Sequence, residues 1–106
     1  VAKRRVRIRW SGPARADLIA AYGYLRAANP AAAGRYAAQV RKSVGRLRQF
    51  PRSGAKLWDV PLEGEFRSIV VRNHRVIYRV NDREVLIFRV WDCGQDPVGM
   101  WDVEPS

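Results

Sequence analysis

The stretch FRSIVVRNHRVIYRVNDREVLIFRV, residues 66–90, decides the fold. β-branched and aromatic residues fill FRSIVVR (66–72), RVIYRV (75–80) and EVLIFRV (84–90), and the breaks between them, NH and NDR, are too short for anything but hairpins. A three-stranded antiparallel meander is predicted. In the middle segment Val76, Tyr78 and Val80 fall on one face and Arg75 and Arg79 on the other, because side chains alternate along a strand. In the last segment both alternating rows are apolar, Val85 and Ile87 on one side and Leu86, Phe88 and Val90 on the other, which fits a central strand covered twice. Arg89 interrupts the first row. A cation there needs a carboxylate or backbone partner, or a groove to face.

Upstream, FPRSGAKLWDVPLEGE (50–65) carries Pro51, Gly54, Pro61 and Gly64 and keeps no period; it is predicted as a loop. Before it, Ala33, Tyr36, Ala37, Val40, Val44 and Leu47 form one helical stripe, with Arg35, Lys42 and Arg46 on the opposite, solvated side. Earlier still, Leu18, Tyr22 and Leu25 recur at helical spacing. Ser11 or Gly12 followed by Pro13 marks the start of that helix, and Asn29–Pro30 ends it and caps the next. So short a link makes an antiparallel helical hairpin. RVRIRW (5–10) has strand grammar again, with Val6, Ile8 and Trp10 on one face and Arg5, Arg7 and Arg9 on the other. Arginine on a first strand protects an edge.

The order is strand, helix, helix, strand, strand, strand. This predicts an α+β domain of two layers, with the hairpin packed on one face of a small, mainly antiparallel sheet and the other face left for water or a partner. All 106 residues are expected to form one domain, with a short acidic tail at about residues 98–106. Asp92 or Asp96 is expected to turn back toward Arg89 or Arg75 and fix the start of that tail, and Tyr78 is expected in the core.

Cys93 is the only cysteine and His74 the only histidine, so no zinc set, disulfide framework or Cys/His pair can be assembled, and no metal or cofactor is expected. Cys93 reads as a buried or half-buried free thiol and His74 as a turn residue. The longest apolar run is far below the roughly 20 residues that cross a bilayer, and VAKRRVRIRW lacks the pattern of a signal peptide. No membrane association and a cytoplasmic location are expected.

Net charge is +10 and unevenly placed. Residues 1–91 hold all 20 Lys and Arg against six acids, a net +14, whereas residues 92–106 hold Asp92, Asp96, Asp102 and Glu104, a net −4. Such a body attracts polyanions or an acidic protein and speeds their association.

The ordered set D-L at 17–18, N-P-x-A-A at 29–33, L-x-x-F-P-x-x-G at 47–54, F-R at 66–67, R-V-I-Y-R-V at 75–80, R-V at 89–90 and Q-D-P at 95–97 resembles the RelE/ParE superfamily of bacterial type II toxins, and specifically its ParE branch. The resemblance covers roughly residues 5–97. It implies the toxin half of a toxin–antitoxin pair, held in a hetero-oligomer by an acidic, ParD-like antitoxin, with operator DNA contacted only through that antitoxin. It also implies DNA gyrase as the target. RelE-like relatives instead cut mRNA on the ribosome, so the alternative is a nuclease.

Cleavage by a 2′-OH needs a proton relay, a cation for the phosphorane and an acid for the leaving oxygen. Cations are present at Arg67, Arg72, Arg75, Arg79 and Arg89, but no Tyr, His or Lys follows residue 90 and Ile69, Val70 and Val71 stand where the nucleases resemble one another in carrying lysines. Glu84 and Tyr78 remain as proton carriers. No confident catalytic residue emerges. Arg67, Arg75, Arg79 and Arg89 are the candidates for binding target or antitoxin, because arginine offers a fixed fork of donors and is a poor general base. Arg67 is expected near an exposed strand end. A third reading, a basic nucleic-acid-binding module, needs only the charge and lacks a recognition helix or a placed aromatic pair.

Overall fold

The computed structural model describes residues 5–102; the last residues of the acidic tail, Glu104 included, lie outside them. Strand β1 (Arg7–Trp10) leads into helix α1 (Gly12–Ala28), helix α2 (Pro30–Gly45) and a 3-10 turn (Arg46–Arg48), followed by strands β2 (Ala55–Lys56), β3 (Glu65–Val71), β4 (His74–Val80) and β5 (Glu84–Asp92) and a second 3-10 segment (Pro97–Trp101).

Local chemistry sets the helix ends. Ser11 is extended and its hydroxyl accepts from Ala14 N, with Pro13 in the first turn, where a missing N–H costs nothing. Asn29 serves both helices: its N–H closes α1 on Leu25 O (2.7 Å), and its side chain accepts from Ala32 N to open α2. A single extended residue thus reverses the chain.

The sheet order is β1-β5-β4-β3-β2. β1 runs parallel to β5, pairing Ile8 with Val85 and Trp10 with Ile87, and every other neighbour is antiparallel. The two-layer α+β architecture is therefore the observed one. Helix α2 and the 3-10 turn after it pack Tyr36, Val40, Val44 and Leu47 on Val76, Tyr78, Val85 and Ile87, all nearly or fully buried. Burying each such side chain is worth roughly 1.5–3 kcal/mol.

Several details differ from the sequence reading. Residues 50–65 are not all loop, because Ala55 and Lys56 pair with Ser68 and Arg67 as an edge strand too short to show a period. The first turn sits at Arg72–Asn73, with Arg72 at φ 54°, so His74 begins β4 and lies against Tyr36 (ring centroids 5.3 Å apart). Cys93 is exposed. β5 carries a bulge: Ile77 pairs with Arg89 but Tyr78 with Ile87, so Phe88 is an extra residue and the alternation shifts by one. Arg89 thereby leaves the row of Val85 and Ile87, and Val90 takes its place in the helix-side core.

The face away from the hairpin is not left open. Phe66, Ile77, Trp91 and Met100 are buried there, with Leu57, Val60, Phe88 and Trp101 packed on them. Trp101 stacks on Phe88 and meets Phe66 edge-on, with centroids 5.4 and 5.3 Å apart. The tail expected from residue 98 is folded through Trp101, because its apolar side chains close a second core that no local pattern announces.

Candidate functional site

β1 ends at Trp10, so β5 would show an unpaired edge from residue 88 onward. Ser11 and Asp17 complete it. Ser11 donates from its N–H to Ile87 O (2.9 Å) and from its hydroxyl to Phe88 O (2.8 Å), while an Asp17 carboxylate oxygen accepts from Val90 N (3.0 Å). Arg89 reaches the same carboxylate in a two-pronged contact, Nε to Oδ2 at 2.7 Å and Nη2 to Oδ1 at 2.9 Å, and donates its remaining nitrogen to Met100 O (3.2 Å). Its guanidinium also lies over the Trp91 ring at 4.7 Å. One arginine therefore joins α1, β5 and the folded tail.

Asp92 and Asp96 do not pair with Arg89 or Arg75. Asp92 accepts from Gly94 N and Asp96 from Val98 N, each shaping a turn two residues ahead of itself. Turn geometry claims both carboxylates locally, and the Arg89 guanidinium is taken by Asp17 on α1. The signal for Asp17 is present in the sequence, since it is the only acid between residues 11 and 50.

Beside this junction a groove of about 660 Å³ opens between the hairpin and the ends of β4 and β5, lined among others by Tyr24, Leu25, Tyr36, His74, Arg89 and Asp92. Tyr36 is buried with no hydrogen-bond partner for its hydroxyl among the described residues. Burial pushes that phenol up to about 12, with the negative charges of Asp17 and Asp92 adding to the effect. The groove pairs an apolar wall on α1 with a charged rim.

Arg67 and Tyr78 meet in a second junction at the other end of the sheet. The Tyr78 hydroxyl accepts from Gly54 N (2.9 Å), and Arg67 donates to Gly54 O (2.8 Å) and to Glu65 (2.7 Å). Arg67 is therefore clamped rather than standing near an exposed end; only 19% of its side chain is accessible. Tyr78 is a core residue with no exposure, and burial raises its phenol above the ordinary range, although the Gly54 N–H and Arg67 pull it the other way. Gly54 must be glycine, since a Cβ would lie 2.6 Å from the Tyr78 hydroxyl and 2.7 Å from Ser68 O.

The four candidate arginines are thus not brought together. Arg67 and Arg89 are tied inside the fold, whereas Arg75 and Arg79 stand on the face away from the hairpin, at the ends of the row they share with Ile77. Arg75 is exposed, and the Arg79 stem crosses Gly64, which has no Cβ to obstruct it. Of the remaining proton carriers, Glu84 is bound two-pronged by Arg9 at 3.0 Å, and this pairing holds its carboxyl below the ordinary glutamate range. Among the described residues no three His, Cys, Asp or Glu side chains form a metal-holding group, and no helix is long and apolar enough to cross a membrane.

Comparisons with known proteins converge with this geometry. A structure described as the chromosomal ParDE TA system from P. aeruginosa is similar with a TM-score of 0.68 at 22% identity, over 85% of this chain and 98% of that one. No curated sequence matches significantly. The sequence model for the ParE toxin of the type II toxin–antitoxin system, parDE, matches residues 8–97, which takes in both helices, strands β2 to β5 and nearly all of β1. The chain belongs to the ParE toxin family of type II toxin–antitoxin systems.

Proposed function

We propose that this toxin acts in the cytoplasm as a binder that inhibits DNA gyrase, and that a ParD-like antitoxin neutralises it by occupying the groove beside the Arg89 junction. The observation that carries the binding reading is the engagement of both remaining proton carriers: Tyr78 is buried on Gly54 and Glu84 is held by Arg9. A ribonuclease would need such a group free beside the scissile phosphate. The antitoxin half is supported by the ParDE system to which the similar structure belongs, and by a groove whose apolar wall offers Tyr24 and Leu25 to a partner. A net +14 over residues 1–91 suits an acidic one.

Expression of the chain alone is expected to stop bacterial growth. Purified protein is expected to inhibit gyrase supercoiling or trap cleaved DNA while ribosome-bound mRNA stays whole. Codon-specific cuts in translated mRNA, with gyrase unaffected, would overturn this reading in favour of the nuclease.

A further inference from the structure

The arginines of the first strand are not accounted for by either junction. β1 places Arg7 and Arg9 on the sheet face away from the hairpin, in rows with Glu84 and with Leu86 and Arg79 respectively. Arg83 adjoins them, because its carbonyl accepts from Arg7 N (3.1 Å), and Arg5 precedes the strand, exposed. Two acids lie nearby. Glu84 is taken by Arg9, and Asp82 reaches Arg52 at 3.3 Å. Arg5, Arg7, Arg79 and Arg83 keep no ion-pair partner among the described residues.

We propose that this edge is a docking surface for the phosphate backbone of duplex DNA, so that the toxin touches DNA directly as well as its protein target. Two observations favour this occupant, one over an acidic protein and one over a single strand. Protein interfaces are built round an apolar core with a polar rim, and none of the exposed large apolar side chains, Ile19, Tyr24, Phe50, Trp58, Leu62, Val70 and Val98, lies on β1, β4 or β5. Single strands are held by stacking on aromatic side chains, and none of the exposed aromatic side chains lies on these strands. Arginines on such an edge contact phosphates without reading bases, which is positioning and not sequence recognition. The choice of DNA rests on the gyrase reading.

The test is fluorescence anisotropy of the purified chain with a labelled 20-bp DNA duplex, without gyrase, across salt. Four phosphate contacts give an affinity that falls roughly a hundredfold between 50 and 200 mM salt, and two give roughly tenfold. The wild type is expected to follow the first, and the double variant Arg7→Gln/Arg83→Gln the second, with weaker binding throughout and unchanged melting. Arg35→Gln/Lys42→Gln, the same charge removed from the far side of α2, is expected to keep the wild-type slope. Equal losses in the two double variants would mean a diffuse field and overturn the proposal. So would the absence of duplex binding at 50 mM salt, or tighter binding of a duplex RNA, a single strand or an acidic peptide. A gyrase assay on the wild type separates the two questions: failure there sinks the target reading and leaves the anisotropy result standing on its own.

Discussion

Without the Arg89 guanidinium, the Asp17 carboxylate, 18% exposed, would keep only the Val90 N–H as a donor. Removing one member of such a pair strands the other, whereas the intact pair contributes little net stability. Arg89→Ala and Asp17→Ala are therefore each expected to cost about 2–4 kcal/mol in urea unfolding, and the double variant clearly less than their sum. Additive costs would show that the two are not coupled. At the other junction Glu65 is held below the ordinary glutamate range, first by its hydrogen bond from Arg67 and then by Arg52. A carboxyl lowered on folding stabilises the fold above its unfolded value, and that contribution is lost as pH falls through the folded one. Stability is expected to decline below about pH 5, and Glu65→Gln to make that decline shallower. An identical acid limb in the variant would remove Glu65 from the account.

At the scale of elements, the short strand β2 depends on one glycine. Adding a Cβ at Gly54 would press on the Tyr78 hydroxyl and on the carbonyl of Ser68, the residue that Ala55 pairs with. The backbone of β3 cannot yield as a flexible side chain could. Gly54→Ala is expected to destabilise by about 1–3 kcal/mol and to increase amide exchange at Ala55 and Lys56, whereas Gly34→Ala, with open space around it, is expected to be neutral or slightly stabilising. The helices, their caps and the meander were legible because their causes are local: Ser11 and Asn29 act within three residues, and alternation shows inside seven. β2 was not, since two residues make no period. The bulge at Phe88 exists only in the register between two strands, and unbroken alternation without it puts Arg89 in the wrong row and beside the wrong acid. Asp17 belongs to the D-L pair at 17–18, but its partner lies 72 residues away, where no spacing rule reaches.

For the molecule as a whole, the acidic end of the chain is a structural part. Met100 is 5% exposed between Trp91 and the Phe66 cluster, whereas Val98, two residues earlier, is 74% exposed. Met100→Ala is expected to cost about 2–4 kcal/mol and to raise binding of a hydrophobic dye, while Val98→Ala melts like the parent. Equal melting of the two would mean that the second core does not depend on the tail. The parallel pairing of β1 with β5 adds a constraint in time. Residues 7–10 find their partners only at residues 84–87, so the first strand emerges during synthesis long before the strand that holds it. At 5–20 residues per second the interval is roughly 4–15 s. Ser11 and Asp17 wait through the same delay for Phe88, Arg89 and Val90. A fold built in this way cannot close its sheet, or tie Arg89 to Asp17, until nearly the whole chain has been translated.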